Sequence, residues 1–197
     1  MSGNSKDLYG SAPDKHRTAL IIIDMINALQ FPEAPMLLEF AVPMARRIKT
    51  LATRARAAGV PIIYVNDNFG RWRSDFKALV EHCLHSRGRT LARLLKPKTR
   101  DYFVLKPKHS AFHSTTLDLL LKHLGTRRLI LTGMASNICV LFTANDAYMR
   151  DFKLLVPRDC VCANTQKEND HALAQMEKLL KADVRPASEI HLHSVGR

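Results

Sequence analysis

The chain has 197 residues, 46% hydrophobic and 24% charged, which suits one water-soluble domain with a full core. Its net charge of +12 is spread over separate stretches (Arg46, Arg47, Lys49, Arg54 and Arg56; Lys96, Lys98, Arg100, Lys106 and Lys108), and aromatics are 7%. That argues against a base-stacking nucleic-acid surface and for solvated basic faces with a preference for acidic small substrates. No apolar run approaches the ~20 residues of a membrane span, and Met1 to Asp14 is polar with no signal core.

In chain order, residues 1–17 read as a flexible N-terminal arm and 18–197 as a single domain. Thr18 to Ile23 is a continuously apolar, β-branched run, the pattern of a strand buried on both faces, and it ends in Asp24. Met25 to Met36 carries Pro32 and Pro35 and reads as a loop. A helix is expected from Val42 to Ala58, stopped by Gly59. Pro61 to Val65 is a second strand, running into the polar loop Asn66 to Gly70 and then Arg71-Trp72-Arg73. Ser74-Asp75 caps a helix to about His85, and a short helix spans Arg89 to Leu95.

Tyr102 to Leu105 is a third strand, closed by Lys106-Pro107. Ser114-Thr115 caps a helix over Leu117 to Leu124, ended by Gly125. Arg128 to Thr132 is the fourth strand, followed by a turn at Gly133 and a helix from about Ile138 to Arg150. Lys153 to Pro157 is the fifth strand. Thr165 caps a helix to about Leu180, and Val184-Arg185 is a short sixth strand. Strands alternating with helices predict an α/β fold, a parallel sheet between two helical layers in a Rossmann-like three-layer sandwich. Ligands of such sheets sit at the carboxyl ends of the strands, where Asp24, Asn66 to Gly70, Lys106 and the Gly133-to-Cys139 turn all fall.

Three of these residues make a chemical set. Cys139 opens a helix, where the helix dipole and unpaired backbone N–H groups favour a thiolate. Packing at a helix–sheet junction explains the same placement. Asp24 at the end of an apolar strand is either a base for the thiol or a turn-making carboxylate. Lys106 is the counter-ion that would hold that pair, with Lys108 as its competitor. Cys83, Cys160 and Cys162 form no CxxC pair and read as reduced packing thiols, consistent with a cytoplasmic setting. Glu81, His82 and His85 have ligand spacing on a helix but read as a solvated face.

The segments Leu20 to Met25, Leu105 to Phe112, and Thr132 to Val140 with Thr143 to Ala147 together resemble the isochorismatase-like cysteine hydrolases, which include nicotinamidases and N-carbamoylsarcosine amidases. The resemblance covers Thr18 to Leu180. It implies a six-stranded parallel sheet and an Asp24–Lys106–Cys139 triad in which the thiolate attacks an amide-like carbonyl. Asp24 would be the general base, Lys106 would hold the ion pair, and the triad would depress the thiol pKa. The backbone N–H groups of Ala135 and Cys139 would form the oxyanion site beside a cis Met134–Ala135 peptide. It also implies a small-molecule substrate and self-association, while composition and charge argue against membrane and nucleic-acid partners. Nicotinamidases carry a metal on Asp-x-His after the second strand; here Asp67 is followed by Asn68 and Phe69, so no metal and no cofactor are expected. Asn68, Phe69, Trp72 and Phe112 are candidates to line the substrate pocket. The expectation is a C–N hydrolase acting on an amide, ureido or carbamoyl group. Vinyl-ether hydrolysis of an isochorismate-type anion and a catalytically silent binding module are its rivals.

Overall fold

The computed structural model describes residues 15–70 and 75–192, so Trp72 and residues 1–14 of the arm lie outside the described residues. The first strand, β1 (Thr18–Ile23), is buried at every position, which is why its sequence shows no polar alternation. α1 runs Ala34–Ala57, β2 Ile62–Asp67, α2 Phe76–Leu84 and α3 Arg89–Leu94. β3 (Tyr102–Lys106), α4 (Leu117–Leu124) and β4 (Arg128–Met134) follow. A π turn (Ser136–Val140) leads into α5 (Leu141–Tyr148), and the chain continues through β5 (Lys153–Leu155), β6 (Val161–Cys162) and α6 (Gln166–Leu180).

Among the described residues, six parallel strands form one sheet in the order β3-β2-β1-β4-β5, with β6 also paired to β4. Leu20, Ile22, Ile62 and Tyr64 face α1 to α3 on one side. Ala19, Ile21, Ile23, Ile63 and Val65 face α4 to α6 on the other. The chain winds outward from β1 to β3, then returns to place β4 on the other side of β1. The crevice at the carboxyl ends of β1 and β4 is therefore the switch point of the sheet, where such folds bind ligands. No helix among the described residues is long and apolar enough to cross a membrane.

Three elements differ from the sequence expectation. α1 begins at Ala34, eight residues before Val42, because Pro35 sits in the first turn, where its missing N–H costs nothing. Pro43 lies inside the helix on its exposed side, so solvent can serve the carbonyl of the exposed Glu39. The buried stripe Leu37, Ala41, Met44, Ala45, Ile48, Leu51, Ala52 and Ala55 runs through it unbroken. The sixth strand is Val161–Cys162, not Val184-Arg185. β5 pairs only with Arg128 to Ile130, which leaves the Gly133–Met134 edge of β4 open to β6, while the 184 region contributes one bridge, Leu155 to Asp183. The third difference, the π turn where a helix start was expected, belongs to the site.

Candidate active site

Asp24 follows the last residue of β1 with a left-handed backbone (φ 53°) and is 6% exposed. Its N–H donates to the Val65 carbonyl at 2.9 Å, which fixes the turn against β2. One carboxylate oxygen, Oδ1, accepts the Asp67 backbone N–H at 2.8 Å, and Oδ2 lies 2.8 Å from Lys106 Nζ. Lys106 is the last residue of β3, in register with Asp67 on β2, and is fully buried. From β3 its chain passes the end of β2 to reach Asp24. Its Nζ also donates to Cys139 Sγ at 3.5 Å and stands 3.9 Å from Asp67 Oδ2.

Cys139 enters from the other side of the switch point. β4 ends at Met134, the Met134–Ala135 peptide is cis, and the chain turns through Ser136–Val140 as one π turn before α5 begins. The expected helix start at Ile138 is thus the middle of this turn. The Ala135 carbonyl accepts the N–H groups of Ile138 and Val140, each at 3.1 Å. Ala135 and Cys139 are both half-buried.

The electrostatics differ from the sequence expectation in one respect. The Cys139 thiol is not depressed: burial and the Asp24 carboxylate push it up to about 12, against the opposing pull of Lys106. Burial also raises Asp24 above the usual carboxylate range, although Lys106 and the contacts from Cys139 and the Asp67 N–H pull the other way. Burial alone would lower Lys106, but Asp24, Cys139 and Asp67 together outweigh it and hold the ammonium above its ordinary value. The resting arrangement is a protonated thiol beside a carboxyl–ammonium pair. The thiol and the carboxyl are both made more basic, so they are suited to exchange one proton as a coupled unit.

The other expected residues are placed as follows. Asn68 is half-buried, its N–H donating to the Lys106 carbonyl at 3.0 Å and its Oδ1 accepting from Gly70 N–H. Phe69 is 44% exposed on the same loop, with φ 50°. Phe112 is buried, its ring against Phe152 and beneath the Arg150 guanidinium, toward the carboxyl end of α5, whereas Cys139 lies at the amino end. It belongs to the core cluster under α4 and α5. Cys160 and Cys162 are buried in the opposite core cluster, and burial raises both thiols. Glu81 and His85 form an exposed pair at 3.4 Å on α2.

Two residues in the site carry contacts that sequence reasoning did not assign. Thr143 is fully buried, with Oγ1 donating to the Cys139 carbonyl at 2.7 Å and accepting Ala111 N–H at 3.0 Å. It ties the loop after β3 to the cysteine turn, and its place four residues after Cys139 was the available signal. Asp67 contacts Lys106, and its position at the end of β2 was the signal there. The arrangement does not fit a metal. Asp67 Oδ1 is taken by the Phe69 N–H at 2.7 Å, Oδ2 faces an ammonium, and residue 69 offers a ring without a donor atom. Among the described residues, no group of three or more His, Cys, Asp or Glu side chains is placed to hold a metal ion.

Residues 18–187 match the model of the isochorismatase domain. The chain is 42% identical over 172 residues to YaaI, an uncharacterized isochorismatase family protein of Bacillus subtilis (strain 168), covering 87% of this chain and 95% of that one. An isochorismatase family protein from Desulfovibrio vulgaris superposes with a TM-score of 0.72 at 26% identity, covering 87% of this chain and 95% of that one. N-carbamoylsarcosine amidase from Thermoplasma acidophilum superposes with a TM-score of 0.69 at 25% identity, covering 89% and 99%.

Proposed function

The chain belongs to the isochorismatase family of hydrolases, and we propose on that premise that it is a metal-independent cysteine hydrolase. It cleaves a C–N bond in an amide, ureido or carbamoyl group of a small molecule. The observation that carries the reading is the contact chain Asp24–Lys106–Cys139, 2.8 Å and 3.5 Å, at the switch point of the sheet. The amidase among the similar structures supports the bond class. The absence of a ligand atom at Phe69 and the engagement of Asp67 support the metal-free part.

In the cycle, Cys139 Sγ bonds to the substrate carbonyl carbon as its proton passes to Asp24. The backbone N–H groups of Ala135 and Cys139 hold the resulting oxyanion. The C–N bond breaks as Asp24 gives that proton to the leaving nitrogen, which leaves a thioester on Cys139. Asp24 then takes a proton from water, the water oxygen attacks the thioester carbon, and the proton returns to Sγ as the C–S bond breaks. Lys106 remains an ammonium throughout. The raised Asp24 makes it a competent acceptor for a thiol that is itself raised, so the proton moves when substrate is in place.

The raised carboxyl also suits a proton donor to a vinyl ether, and the same experiment separates the two chemistries. Turnover is screened over amides, ureido and carbamoyl compounds and isochorismate-like anions, with and without chelator, for the native chain, Cys139→Ala and Cys139→Ser. The expected result is chelator-insensitive C–N hydrolysis, lost at least about a thousandfold in Cys139→Ala, with an acyl adduct on Cys139 seen by mass spectrometry. Undiminished turnover in Cys139→Ala would sink the thiol mechanism in favour of vinyl-ether chemistry, and chelator sensitivity would overturn the metal-free part.

A further inference from the structure

Among the described residues, Asp67 is a charged residue at the site that the triad chemistry leaves unused. Among the described residues, the ionisable groups facing Lys106 are Asp24 from the end of β1, Asp67 from the end of β2 and Cys139 from the π turn. Asp67 and Lys106 are register partners on neighbouring parallel strands, so their side chains stand on the same side of the sheet. The three parts of Asp67 are divided. Its N–H serves Asp24 Oδ1, its Oδ1 serves the Phe69 N–H, and its Oδ2 is left toward Lys106 Nζ at 3.9 Å.

One ammonium with two carboxylates is more charge than a resting Asp–Lys pair needs. The need arises during the cycle. When Asp24 has taken the proton it is neutral, and when Cys139 sulfur is bonded to the acyl carbon it too is neutral. At that stage both triad partners of the fully buried Lys106 carry no charge. A buried ammonium without a counter-charge is costly and tends to shed its proton. Asp67 passes no proton in this cycle, so its carboxylate stands beside Lys106 at every step.

We propose that Asp67 is a positioning residue, a standing counter-charge that shares the Lys106 ammonium with Asp24 and keeps it charged while Asp24 and Cys139 exchange a proton. Its meaning for turnover rests on the cysteine-hydrolase reading, but its electrostatic content does not. A position that would otherwise serve a metal serves the lysine instead.

The test needs no substrate. Asp67→Asn keeps an Oδ1 to accept the Phe69 N–H, so it removes the charge and preserves the turn. Asp67→Glu keeps the charge. Asp67→Ser, which also keeps an oxygen for the turn, is read in the same way if the Asn variant does not fold. The readout is the rate of iodoacetamide alkylation of the Cys139 peptide from neutral to alkaline pH, followed by mass spectrometry. With the second carboxylate gone, the ammonium acts undivided on Asp24 and Cys139. The profile is expected to move toward acid by about one pH unit, about tenfold faster alkylation at fixed pH on the rising limb. Asp67→Glu is expected to follow the native profile. A profile for Asp67→Asn that superimposes on the native one, or moves toward alkali, overturns the proposal and leaves Asp67 as a tether of its turn. If Cys139→Ala retains turnover while Asp67→Asn still shifts alkylation, the counter-charge stands and the thiol mechanism falls.

Discussion

Gly133 decides how closely the cysteine turn can approach Asp24. It sits opposite Ile23 in the β1–β4 register, with φ +113°, and a Cβ placed on it would lie 2.0 Å from the Ile23 carbonyl oxygen and 2.8 Å from the Ile23 nitrogen. These are backbone atoms of a central strand, so they cannot move aside as a side chain would. Gly133→Ala must push the ends of β1 and β4 apart as well as hold an unfavourable φ, at a cost of about 3 kcal/mol or more. Denaturant unfolding of the variant measures that loss. Native-like stability would mean that the two strand ends part freely and that the site is not set by this contact. Burial is the first cause of the raised thiol, and the close approach adds the second: a buried sulfur held next to a carboxylate keeps its proton until something else takes the charge.

α6 shows what an element owes to one residue. Thr165 accepts the Glu168 N–H at 3.2 Å through Oγ1, and the Glu168 carboxylate accepts the Thr165 N–H at 3.1 Å, a complete capping box. Thr165→Ala is expected to cost about 1 kcal/mol and lower Tm by about 2–4 °C, readable by thermal unfolding; an unchanged Tm would show that packing of Ala172 and Met176 alone holds the first turn. Caps and periodic apolar faces of this kind were legible, and so were β1 and the bounds of α4, because local chemistry sets them. Asp24, Lys106 and Cys139 were legible as strand-end residues, and their family motifs drew them together. What was not legible depended on distant partners. Prolines hid the first turns of α1, whose buried stripe continues through Pro43. Val161–Cys162 became a strand only because β5 left the β4 edge open. Phe112 turned into the core because Phe152 and Arg150 receive it. The thiol pKa depended on burial, which no spacing in the sequence expresses.

The whole molecule is a sheet with a core on each face, and the site stands on the sheet's carboxyl edge between them. Ile48 of α1 and Leu121 of α4 are both fully buried, one in each core. The sheet is shared: β1 contributes Leu20 and Ile22 to one core and Ile21 and Ile23 to the other. Neither layer can release its helices without exposing strands that the other layer needs covered. This predicts a specific pattern in a double-mutant cycle. Ile48→Val is expected to cost about 1 kcal/mol and Leu121→Ala about 3 kcal/mol. Because the two side chains share no cavity, the costs are expected to add to within about 0.5 kcal/mol. The double variant is nevertheless expected to unfold in one transition by fluorescence and by circular dichroism together. Two separated transitions would show that the helical layers come off the sheet independently. In that case Asp24 and Lys106, which hang from β1 and β3, would not be held against Cys139 by a single cooperative unit.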